Sequence, residues 1–128
     1  MSSVLVDSSV WIDYFRNGKN INLSYFEEII DNNQLCTNDL ILAELLPFLK
    51  IQKQNDLIDI ILSVKNIPLT INWEQIIDLQ YQNVKNGINN AGIPDLIILQ
   101  NVINNSLILY SLDKHFKLMK KLFKFDTV

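Results

Sequence analysis

Val4-Leu5-Val6-Asp7-Ser8-Ser9-Val10-Trp11-Ile12-Asp13 stands near the start of the chain and sets its architecture. Three successive apolar residues leave no polar face, so Ser3–Val6 reads as a short strand buried on both sides. The run stops at a carboxylate. Ser8 or Ser9 can then N-cap a helix that carries Val10, Trp11, Tyr14 and Phe15. Asn17-Gly18 ends that helix.

The same alternation continues along the chain. Leu23–Ile30 has helical spacing, and Gln34–Thr37 is a second strand. Thr37 or Asn38 can cap the following helix, which Pro47 is expected to break or kink before it resumes over Phe48–Val64. Ile67–Ile71 is a third strand and Trp73–Lys85 a helix. Asn86–Gly92 is a polar break, after which Pro94 suits the first turn of a helix over Pro94–Asn104. Leu107–Tyr110 is a fourth strand, Lys114–Leu122 a short helix, and Phe123–Phe125 an edge strand. Apolar strands alternating with helices imply an α/β fold: a three-layer sandwich with a central parallel sheet covered on both faces.

Bulk features bound the rest. With 128 residues, 48% hydrophobic and 20% charged, residues 1–128 suit a single globular domain. A net charge of -3 argues against a simple basic face for nucleic acid. Cys36 is alone, so the expectation is a reducing, cytoplasmic setting. The opening residues lack a basic n-region, and no apolar run approaches the roughly 20 residues that span a bilayer, so no membrane role is expected.

Four acids sit where apolar neighbours predict burial: Asp7 after Val4-Leu5-Val6, Glu44 within Leu40-Ile41-Leu42-Ala43-Glu44-Leu45-Leu46, Asp95 before Leu96-Ile97-Ile98-Leu99, and Asp113 shortly after Leu107-Ile108-Leu109-Tyr110. A buried, unpaired carboxylate is costly. Parallel strands all end at one edge of the sheet, where the returning helices begin, so the topology gathers Asp7, Asp95 and Asp113 there. Glu44 lies about six residues into its helix, roughly 9 Å along it, and its side chain tilts back toward the N-terminus. That edge is where open α/β sheets place ligands. Converging carboxylates favour a hard divalent cation, Mg²⁺ or Mn²⁺. Such an ion suits phosphodiester hydrolysis.

These segments resemble the PIN-domain endoribonucleases of the VapC toxin type. Val4–Asp13 resembles the family's first motif, with a strand, an Asp and a small hydroxyl residue two positions on. Thr37-Asn38-Asp39-Leu40-Ile41-Leu42-Ala43-Glu44 resembles the segment supplying its Glu, and Ile93-Pro94-Asp95-Leu96 the helix start supplying its third acid. Tyr110-Ser111-Leu112-Asp113-Lys114-His115-Phe116 resembles its closing motif. The resemblance implies strand order 3-2-1-4-5, one or two Mg²⁺ or Mn²⁺ ions, an RNA substrate, a cognate antitoxin and a homodimer. It assigns Asp7, Glu44, Asp95 and Asp113 to catalysis and metal binding, with Ser9 and Ser111 in support. Gln100 and Asn101 depart from the small residues common in the family, so packing there is expected to differ.

Other residues invite plainer readings. Asp13 suits solvent or a pairing with Arg16, Asp39 a capping role, Cys36 an inert core position, and His115 a surface or packing position. Lys114 and Lys117 follow the closing motif and are candidates for contact with RNA phosphates. A PIN-like RNA- or protein-binding module without catalysis is the alternative. The four acids also alter the reading of the charge: removing four negative charges from -3 leaves +1 for the rest of the chain.

Overall fold

The computed structural model describes residues 2–128. Its sheet comprises β1 (Val4–Val6), β2 (Leu35–Thr37), β3 (Lys65–Asn66), β4 (Ile108–Tyr110) and β5 (Asp126–Thr127). The order is β3-β2-β1-β4-β5, and every pairing is parallel. Seven helices surround it: α1 (Ser8–Arg16), α2 (Leu23–Asp31), α3 (Asp39–Ile51), α4 (Asn55–Ser63), α5 (Trp73–Lys85), α6 (Ile93–Asn104) and α7 (Lys114–Lys120). This is the α/β sandwich read from the sequence, in the strand order that the resemblance implies.

β1 is the central strand, paired with β2 on one side and β4 on the other, and its side chains alternate between two cores. Leu5 packs with Cys36, Leu109, Ile98, Leu99 and Phe116 on one face. Val4 and Val6 pack with Trp11, Phe26, Leu45 and Tyr110 on the other. Leu5 pairs with Cys36 and Leu109 in register, so the three residues form one buried row across the sheet. The aromatics of the first helical segment behave as core: Trp11 is fully buried and meets Phe26 edge to face at 5.2 Å. Among the described residues no helix is long and apolar enough to cross a membrane.

Three local expectations need correction. Pro47 lies inside α3 without breaking it. Its ring removes a hydrogen bond to the carbonyl of Ala43, but both residues are exposed, so water can satisfy that oxygen. The break comes instead at Gln52–Gln54. There Lys53 takes a left-handed φ of 55°, and the Gln54 N–H reaches back to the Leu49 carbonyl. The third strand is Lys65–Asn66, not Ile67–Ile71. The Ile67 N–H still bonds the Thr37 carbonyl at 2.8 Å, but Pro68 has no N–H to continue the ladder. The fifth strand is Asp126–Thr127, not Phe123–Phe125. Phe123 still donates to Met119 at the end of α7, and Phe125 turns its ring into the core.

Candidate active site

The site forms at the carboxyl edge of the sheet. Asp7 follows β1 directly and occupies the N-cap position of α1, with its own N–H bonded to the Tyr110 carbonyl of β4 at 2.9 Å. Its side chain does not cap the helix. Instead, Oδ2 accepts hydrogen bonds from Ser9 Oγ and Ser111 Oγ, each at 2.8 Å. The two hydroxyls are themselves placed by backbone: Leu112 N–H donates to Ser9 Oγ and Asp113 N–H to Ser111 Oγ, both at 3.0 Å. Asp7 is only 6% exposed. The small hydroxyl residues therefore hold a buried carboxylate in one orientation and leave Oδ1 outside this pair of bonds.

Asp95 sits in the first turn of α6 and accepts the Gly92 N–H at 3.3 Å. Asp113 caps α7 by accepting the His115 N–H at 2.9 Å. Both thus serve their helix ends, as their positions suggested, while a carboxylate oxygen of each also lies beside the same nitrogen of His115. Glu44 departs from expectation: α3 presents it exposed rather than buried. Its surroundings nevertheless raise its pKa, first through loss of hydration and then through the charges of Asp7, Asp95 and Asp113. Desolvation also raises the Asp95 pKa, against the Gly92 hydrogen bond, with the charges of Asp113 and Asp7 adding to the rise and His115 opposing it. Four acids from α3, α6 and the ends of β1 and β4 therefore share one electrostatic environment.

The tightest ligand group differs from the four predicted acids. Asp95, Asp113 and His115 each offer an atom within 4.8 Å of the others. His115 Nδ1 lies 3.3 Å from Asp95 Oδ2 and 3.2 Å from Asp113 Oδ1. It is not aligned for a hydrogen bond with either, so this buried atom has no partner. The sequence reading missed this placement, because a single histidine two residues past an acid is an ordinary surface pattern. A divalent cation fits the donor set: Asp95, Asp113 and His115 bring ligand atoms from two helix starts within 4.8 Å of one another, and the buried nitrogen among them lacks a partner.

The remaining candidates fall around this centre. Lys114 and Lys117 are exposed on α7, and Lys117 lines a cleft with Ser111 and Asp113. Lys120 is engaged elsewhere, donating to the Phe125 carbonyl at 2.7 Å. Asp13 is buried rather than solvated. It accepts from Asn20 N–H, Asn20 Nδ2 and Ile21 N–H, so it pins the connection to α2 and does not pair with Arg16. Asp39 accepts from Asn66 Nδ2 at 2.8 Å. Burial pushes the Cys36 thiol up to about 12, which makes it inert at neutral pH.

Gln100 and Asn101 explain how α6 is fixed. Asn38 caps α3 by accepting the Ile41 N–H and donates to Asn101 Oδ1 at 3.0 Å, while Asn101 Nδ2 donates to the Pro68 carbonyl. Gln100 bonds the backbone of Asn72 and the side chain of Gln75. These amides link the helices that carry Glu44 and Asp95.

An acid pocket at the carboxyl edge of a five-stranded parallel sheet in this order defines the class of α/β proteins to which the chain must be compared. The chain belongs to the PIN domain family, whose profile matches residues 4–122. A comparison with curated proteins finds no match. Among solved structures, the fold is similar to that of VapBC2 from Rickettsia felis bound to a DNA fragment from their promoter. The TM-score is 0.76, with 17% identity over 98% of this chain and 96% of that one. It is also similar to DNA-bound VapBC from Salmonella typhimurium, with a TM-score of 0.76 and 12% identity over 100% and 98% of the two chains. FitAcB from Neisseria gonorrhoeae gives a TM-score of 0.69 at 13% identity over 97% and 95%. Identities this low speak to the fold.

Proposed function

We propose that residues 1–128 form a single PIN domain that acts as a Mg²⁺- or Mn²⁺-dependent endoribonuclease, the VapC-type toxin of a toxin–antitoxin pair. The observation that carries this reading is the grouping of acids at the carboxyl edge of the sheet: Asp7 held by Ser9 and Ser111, and Asp95 and Asp113 each within 3.3 Å of the same His115 nitrogen. Glu44 joins them as an acid whose pKa is raised by desolvation first and then by their charges. In this reading Asp7, Glu44, Asp95 and Asp113 hold the cation, directly or through water. Ser9 and Ser111 act by fixing the Asp7 carboxylate. When bound, the cation supplies an activated water and neutralises charge on the phosphoryl group. Lys114 and Lys117 lie where they can hold RNA phosphates flanking the reacting one.

The likeness to VapBC and FitAcB supports a cognate antitoxin as the protein partner, and a homodimer in the cytoplasm is the assembly we propose with it. Expression of the chain in growing bacteria, followed by sequencing of new RNA 5′ ends, tests this reading. New ends should appear with the wild-type chain and vanish with Asp7→Asn. RNA ends unchanged from those of the Asp7→Asn control would contradict it.

A further inference from the structure

His115 is the chain's one histidine, and the inference drawn from it rests on the reading of the pocket as a cation site. α7 begins at Lys114, so the His115 backbone N–H caps onto Asp113 Oδ1 at 2.9 Å. That same oxygen lies 3.2 Å from the residue's own Nδ1, while Asp95 Oδ2 lies 3.3 Å away on the other side. Neighbouring ligands of an octahedral ion bound at ~2.1 Å are separated by ~3 Å, so these spacings are those of atoms sharing an ion. Hydrogen bonding does not explain them, since neither contact is aligned for one and Nδ1 is buried without a partner. We propose that His115 Nδ1 is a direct ligand, sharing one cation with Asp95 and Asp113, and that it shifts the site's preference from Mg²⁺ toward first-row transition ions such as Mn²⁺.

The chemistry of the donors gives the direction. Mg²⁺ is a hard ion that favours oxygen and gives up water reluctantly, whereas imidazole nitrogen suits the transition ions. Replacing one oxygen position by nitrogen therefore strengthens Mn²⁺ binding relative to Mg²⁺. The rival arrangement is an imidazolium ion-paired with both carboxylates. Its Nδ1 would carry a proton and could not bind a metal, so the acids would hold any cation alone.

Pulsed electron paramagnetic resonance on the full chain loaded with Mn²⁺ separates the two. The proposal expects ¹⁴N modulation from a directly bound imidazole in the wild type and none in His115→Gln. It also expects Mn²⁺ affinity, measured by competition titration, to fall at least about tenfold in His115→Gln, since losing even an outer partner of a ligand costs that much. Mg²⁺ affinity should change much less. Mn²⁺ bound without nitrogen modulation in the wild type overturns the role of His115 and leaves the acid site standing. Failure of the wild type to bind Mn²⁺ at all overturns both. The wild-type spectrum decides the matter even if His115→Gln does not fold, and His115→Asn provides a second variant for the affinity ratio.

Discussion

Ser111 Oγ donates a 2.8 Å hydrogen bond to Asp7 Oδ2 across 104 positions of sequence. It joins the closing segment after β4 to the carboxylate at the end of β1, and Ser9 makes the matching bond from the first turn of α1. A buried acid held by two hydroxyls from different elements has a fixed direction, which is what a ligand or catalytic carboxylate needs.

Removing one of these hydroxyls should loosen the carboxylate without unfolding the chain. Ser111→Ala is expected to cost ~1.5–3 kcal/mol of stability, because a hydrogen bond to a carboxylate is lost. Cation affinity and RNA cleavage should fall about 10- to 100-fold. Ser111→Thr keeps the hydroxyl and should recover most of the cleavage. Urea denaturation and Mn²⁺ titration of the three proteins check this.

Glu44 and Asp95 set a pH dependence whose sign follows from their raised pKa values. A carboxyl group with a higher pKa folded than unfolded binds more protons in the native state. Stability in EDTA should therefore fall as pH rises from about 4, the ordinary carboxyl value, through the raised values. Saturating Mn²⁺ should flatten or reverse that slope, because the ion binds the ionised carboxylates. Asp95→Asn should melt at a higher temperature than the wild type in EDTA at pH 7, with a shallower pH slope. Thermal melts from pH 4 to 8, with and without Mn²⁺, measure both; a slope unchanged by Mn²⁺ would count against a shared cation.

The amide bridge between α3 and α6 should matter to stability more than its surface chemistry suggests. Asn38→Ala removes the side-chain cap of α3, worth ~1 kcal/mol, and leaves buried Asn101 Oδ1 without its donor, at a further ~1–3 kcal/mol. A loss of about 2–4 kcal/mol in chemical denaturation is expected. Cleavage under native conditions should fall as well, because the same bridge sets Glu44 against Asp95.

Cys36 offers a test of the core. It is fully buried in the middle of β2, and its thiol is pushed up to about 12. Ellman's reagent should leave it untouched in the native protein and react with one thiol per chain in urea.

The central strands and the four acids were legible because each is a local contradiction: an unbroken apolar run that stops at a carboxylate, or a carboxylate inside such a run. Asp7 is the clearest case. The edge strands were not legible in place. Lys65–Asn66 and Asp126–Thr127 are two-residue, largely exposed strands with no hydrophobic pattern, and their positions are set by Pro68 and by the burial of Phe125. Asp13 and His115 escaped for a related reason. The partners of Asp13 are the backbone and side chain of Asn20 and the backbone of Ile21, in a loop that helical spacing does not describe, and one of the acids beside His115 lies twenty positions earlier on another helix. Glu44 was read as buried from its neighbours, but the apolar residues around it point to other faces of α3.

The most direct measurement is cleavage of a labelled single-stranded RNA by the purified wild type and Asp7→Asn, each in Mn²⁺ and in EDTA. A metal-dependent acid pocket predicts cleavage by the wild type in Mn²⁺ alone, with Asp7→Asn folded but inactive. Full cleavage in EDTA, or by Asp7→Asn, would contradict it.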